Sequence, residues 1–137
     1  MEALHLAFLG GSVIVILISD EHALSWMLGK SETLPEARMR LLHHLAIAGL
    51  AGMIATGVIL LYPRADFLLA QPLFQIKLLL VGILVANAVL IGKLMPIASE
   101  RPFATLCRAE AVPLYVSGLL STLSWVSAAA IGFYLFW

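Results

Sequence analysis

The chain has 137 residues, of which 62% are apolar and only 12% are charged, and its mean hydropathy is +1.03. A water-soluble domain devotes about a quarter of its residues to charge, so this composition indicates a membrane protein. Eight basic residues balance eight acidic ones, which excludes the strongly basic surface that binds nucleic acids. The single cysteine, Cys107, excludes an internal disulfide and a thiolate-rich metal site.

The first apolar segment predicts a helix over about residues 3–28. Residues 3–19 carry no charge, and about 20 helical residues cross a hydrocarbon layer of ~30 Å. Asp20 is therefore expected at the far boundary or facing protein. No basic residue precedes Lys30, which argues against a cleavable signal peptide.

The second span is predicted over residues 35–62. Thr33, Pro35 and Glu36 match the N-cap and first-turn preferences of a helix, and Pro63 is expected to end it.

The third span is predicted over residues 72–95, between Pro72 and Pro96, and the fourth over residues 111–137 with an aromatic end. Short connections favour antiparallel neighbours. We therefore expect one all-α domain over residues 1–137, an integral membrane four-helix bundle with up-down-up-down topology.

Basic residues are distributed unequally between the two membrane faces. If side A is the face of the N-terminus, it has only Arg64 and the intramembrane Lys77, whereas side B has Lys30, Arg38, Arg40, Lys93, Arg101 and Arg108. The positive-inside rule makes side B cytoplasmic, with both termini periplasmic if the membrane is a bacterial inner membrane.

Small residues predict where the helices meet. In lipid, close approach of small side chains replaces the hydrophobic drive to association. Span two has Ala48, Gly52 and Thr56 at intervals of four, Gly10-Gly11 in span one suggests close packing, and span four carries a stripe of Ser117, Ser121, Ser124 and Ala128.

Ionisable residues within a bilayer are candidates for function. His5 and Lys77 lie near the starts of two spans that run in the same direction, so they have similar depth near side A. An imidazole can ligate haem iron, and a lysine can pair with a propionate or, when neutral, coordinate the metal. The alternatives are an interfacial histidine bonded to water and a lysine that snorkels to the surface.

A second polar group is expected toward side B, formed by Asp20, His43 and His44 with the deeper Asn87. Adjacent histidines point about 100° apart on a helix, so one is expected to face the bundle and the other to face outward. The spacing matches no established ligand motif. A hydrogen-bonded network is therefore favoured over a zinc site or a proton relay.

The segment Leu4-His5-Leu6-Ala7-Phe8 resembles the start of helix one in the family of HemJ-type protoporphyrinogen IX oxidases and CopD-like membrane proteins. Residues 44–61 and 72–81 are similar to that family's glycine-bearing second helix and to its aromatic-x-x-Lys-Leu motif at the start of helix three. The resemblance implies haem b bound through the matching residues, His5 and Lys77.

Ser19-Asp20 and residues 35–38, Pro-Glu-Ala-Arg, resemble uncharacterised bacterial four-span membrane proteins still more closely. The chain departs from the HemJ-type pattern at Asp20-Glu21, where that family has basic and aromatic residues, and at Asn87, where it has a histidine. These departures weigh against porphyrinogen oxidation more than against haem binding.

We therefore expect a haem-b-binding, redox-active membrane protein that acts in electron transfer. If it is an enzyme, the resemblance implies an oxidoreductase that acts on a porphyrinogen-type substrate. The alternatives are a cofactor-free accessory subunit of a larger membrane complex and, third, a permease for a small solute or metal that uses Asp20 and His43. Expected partners are lipid and either a second copy of the chain or a larger complex. Nucleic acid is not an expected partner.

Overall fold

Four long helices build the computed structural model, which describes residues 1–136. They are α1 (Glu2–Met27), α2 (Glu36–Leu61), α4 (Pro72–Glu100) and α5 (Arg108–Phe136), with a short α3 (Ala65–Leu69) between α2 and α4. All four long helices have the length and hydropathy to cross a membrane. The predicted all-α membrane bundle is confirmed, while Trp137, at the end of the predicted fourth span, lies outside the described residues.

The start of α2 differs from the prediction, and its end leads into further helical structure. Pro35, rather than Thr33, occupies the N-cap position, and no side chain caps this end. Pro63 ends α2 as predicted, but the chain continues through a 3-10 turn, Tyr62–Arg64, into α3. A proline fits the first turn of a new helical segment because the N–H that it lacks would have no partner there.

Helix α4 continues through Pro96 to Glu100, so the prediction that the span ends at residue 95 is wrong. Proline removes the N–H that would bond to the carbonyl of Gly92, but the helix can survive this loss where tertiary packing compensates. Here the Ala98 side chain is buried, and the backbone carbonyl of Ala98 accepts a hydrogen bond of 3.0 Å from the backbone N–H of Leu34.

The helices pack as two antiparallel pairs, α1 with α2 and α4 with α5, and the pairs meet mainly through α2 and α4. Their side-B end is closed by a core of Trp26, Leu34 and Ala98. Trp26 Nε1 donates a hydrogen bond of 3.0 Å to the Arg101 carbonyl, and its ring contacts Phe103 edge-on at 5.1 Å between centroids. Met39 of α2 and Leu114 of α5 also pack against this core, so all four long helices and two loops meet at side B.

A row of glycines lets α1 lie close to α2. A Cβ atom on Gly52 would come within 2.5 Å of the Phe8 ring, and one on Gly49 would collide with the Ser12 hydroxyl. The predicted contact role of Gly52 is confirmed. The prediction for Gly10-Gly11 is wrong within residues 1–136, since a Cβ at either position would meet nothing within 4 Å.

Replacing Gly52 by leucine should therefore separate α1 from α2 and destabilise the bundle by about 1–3 kcal/mol, the usual cost of overpacking. Gly82→Leu is the matched control, because a Cβ at Gly82 has open space around it within α4. Unfolding in detergent micelles, followed by circular dichroism, measures both. Equal stability of the two variants would contradict the close α1–α2 contact.

Candidate functional site

A cavity of about 280 Å³ lies at the side-A end, where all four long helices contribute to its walls. Its lining is mainly apolar and includes the buried Phe74 and Leu84. The polar side chains on its walls are those of Glu2, His5 and Lys77. Small-molecule sites also have apolar walls with a few converging polar groups, and this cavity lies just below their usual volume of about 300–1,000 Å³.

His5 on α1 is held by Thr56 on α2. Its Nδ1 atom lies 2.8 Å from Thr56 Oγ1, and Thr56 Oγ1 lies 2.7 Å from the Gly52 carbonyl of its own helix. A hydroxyl has one proton and a carbonyl has none, so Thr56 donates to Gly52 and accepts from His5 Nδ1–H. The neutral ring then has an unprotonated Nε2, which can accept a proton or bind a metal.

Lys77 on α4 lines the same cavity as His5. Its Nζ atom lies 3.0 Å from the position that a Cβ on Gly132 of α5 would occupy, so the missing side chain makes room for the amine. The structure thus brings together, on one cavity, the two residues that sequence depth and the family resemblance selected. A ligand that contacts both would bridge the two helix pairs.

The cavity residues fit a haem in chemical terms. His5 Nε2 supplies one nitrogen lone pair, the apolar walls suit a macrocycle, and Lys77 supplies an amine for a carboxylate or for iron. Within residues 1–136 no group of three or more His, Cys, Asp or Glu side chains could hold a metal ion.

The structure does not unite the side-B polar group. Asp20 is half-buried, and within the described chain it has no hydrogen bond to His43, His44 or Asn87. His43 and His44 line a groove between α2 and α4 that Asp20 does not line, with His43 half-buried and His44 exposed. Asn87 is buried between α4 and α5. The predicted hydrogen-bonded network of these four residues is therefore not formed within the described chain.

The sequence alone did not identify Thr56, Gly57 or Gly132 as residues of the site. Thr56 was interpreted only as a packing residue. Its depth gave only a coarse signal, because Thr56 lies seven residues before Pro63 and His5 lies four residues after Met1, a difference of about 4.5 Å in helical rise. The sequence does not point to Gly57 or Gly132, because their role depends on how the helices are rotated about their axes. A Cβ on Gly57 would lie 3.5 Å from the His5 ring.

The chain matches no family profile, no curated protein and no solved structure. The resemblance to the HemJ-type and CopD-like family therefore stays a prediction.

Thr56→Val removes the acceptor for His5 Nδ1–H while keeping the β-branched shape. We expect a loss of about 1 kcal/mol, the low end of the penalty for an unsatisfied buried donor, because His5 is half-buried. Thr56→Ser keeps the hydroxyl and should retain most of the wild-type stability. Thr122→Val is the control, since that hydroxyl is exposed and bonds only to the Gly118 carbonyl of its own helix. Equal unfolding midpoints for Thr56→Val and Thr122→Val in micelles would contradict the assigned bond.

Proposed function

We propose that this integral membrane protein binds haem b in the side-A cavity and acts in membrane electron transfer. The observation that carries the proposal is the contact of 2.8 Å between His5 Nδ1 and Thr56 Oγ1, because a neutral ring that donates from Nδ1 keeps an unprotonated Nε2. His5 is assigned as axial ligand. Lys77, on the same cavity, is assigned as either the second ligand or the partner of a propionate.

Each residue has a separate task in this proposal. Thr56 fixes the tautomer and orientation of His5, as hydrogen bonds to the second ring nitrogen do for metal-bound histidines. The apolar walls suit the macrocycle, and Lys77 adds a cation or a neutral amine to a cavity that Glu2 and His5 also line. When bound, haem supplies one-electron chemistry whose potential depends on its axial ligands and burial. A porphyrinogen-type compound is the electron donor that the family resemblance implies.

A cofactor-free accessory subunit is the second candidate, and the outward-facing glycines favour it. Gly10, Gly11, Gly82 and Gly118 each have open space where a Cβ would be. Bare backbone on a lipid-facing surface lets a further helix approach closely. This alternative predicts that the protein holds no haem after expression with ample haem supply.

His5→Ala removes the proposed axial nitrogen and should abolish or shift the haem absorption spectrum of the purified protein.

Lys77→Met distinguishes the two roles of the lysine. A thioether in place of a ligating amine should change the reduced spectrum and raise the potential, whereas loss of a propionate partner should weaken haem retention with little spectral change.

His44→Ala is the control for both, because His44 is exposed and distant from the cavity walls. Reduced-minus-oxidised spectra and haem content per protein are the measurements. Wild-type protein that lacks a Soret band supports the accessory subunit. Haem content and spectra that are unchanged in both cavity variants would place the cofactor elsewhere.

We infer a bacterial inner membrane location with side B cytoplasmic and both termini periplasmic, from the excess of basic residues on side B. The single cysteine is a built-in reporter, because Cys107 is exposed in the side-B connection between α4 and α5. A membrane-impermeant maleimide should label Cys107 in inverted vesicles and leave it unlabelled in intact spheroplasts. The opposite pattern would reverse the orientation.

A further inference from the structure

The buried face of α5 is polar. Ser117, Ser121 and Ser124 are at least nine-tenths buried, and Ala128 continues the same face. They recur every three or four residues, which confirms the predicted stripe. Ala128 also lines the side-A cavity, so the serine stripe leads from the centre of the bundle to the cavity wall.

Asn87 of α4 lies at the inner end of this stripe. It is 4% exposed, and its Nδ2 donates a hydrogen bond of 3.0 Å to the Ser117 carbonyl, so its carboxamide lies against α5. The Oδ1 atom of the same carboxamide is buried without a hydrogen-bond partner. A buried carbonyl without a donor is costly in a bilayer, where lipid supplies none, and such a group indicates a bound molecule that donates.

We propose that the α4–α5 interface binds a file of water molecules that joins Asn87 Oδ1 to the side-A cavity along the serine stripe. The spacing of the serine hydroxyls matches the length of a bridge through one water molecule. Serines three or four residues apart are separated by about 4.5–6 Å along the helix at 1.5 Å per residue. One water with O–H···O bonds of about 2.8 Å spans roughly 5.6 Å between two hydroxyls.

The serine hydroxyls suit such a file because each can donate and accept. Water molecules can bridge the serine hydroxyls without any charged residue. The water at the inner end donates the hydrogen bond that Asn87 Oδ1 lacks. A file that opens at Ala128 gives protons a route between the cavity and the centre of the bundle. This inference does not depend on haem, since it rests on α4 and α5 alone.

The chain contains one asparagine, so selective ¹⁵N-asparagine labelling reports on Asn87 alone. Water-edited solid-state NMR of the full chain in phosphatidylethanolamine–phosphatidylglycerol vesicles compares its two nitrogens. Magnetisation from water should reach the side-chain Nδ2 several-fold faster than the backbone nitrogen of the same residue. Equally slow build-up at both nitrogens would show a dry interface and overturn the proposal.

Ser121→Val should fill the path and slow the build-up at Nδ2 several-fold. Thr122→Val is the matched control at the same depth, because Thr122 is exposed and bonds to its own helix. An unchanged rate in Ser121→Val would contradict a file that passes this serine. If that variant fails to fold, the wild-type comparison of the two nitrogens decides by itself.

Discussion

Lipid neither donates hydrogen bonds nor drives apolar side chains together, and the structure depends on this constraint. Polar side chains in the bundle lie against bare glycine backbone on a facing helix. The pairs are Ser12 with Gly49, His5 with Gly57, His43 with Gly92 and Lys77 with Gly132. Glycine provides the space in which a polar group can be enclosed by protein, so these contacts both join the helices and position the ionisable groups.

The two ends of the bundle have different tasks. At side B, the Trp26 ring, its bond to the Arg101 carbonyl and the Leu34–Ala98 contact fill the space between helices. At side A the same helices leave a cavity that His5 and Lys77 line. A closed end can hold the helices in register while the open end accepts a ligand.

Hydropathy and proline positions were sufficient to predict the four spans, because crossing a bilayer requires a long apolar helix. The shared depth of His5 and Lys77 followed from the helical rise alone. Helix rotation is what the sequence did not supply. The Asp20–His43 network failed for that reason, and Thr56 was missed as the partner of His5. Helix α4 continues through Pro96 because of the tertiary contacts of Ala98, and no local sequence pattern predicts these contacts.

The central claim is that Thr56 holds His5 with a proton on Nδ1 and a lone pair on Nε2. Nitrogen-15 NMR of histidine-labelled protein without added haem tests it directly, because protonated and unprotonated ring nitrogens have well-separated shifts, and His5→Gln identifies the His5 signals. At neutral pH we expect a protonated Nδ1 and an unprotonated Nε2, an arrangement that Thr56→Val should abolish. A His5 ring with its proton on Nε2 would contradict the account.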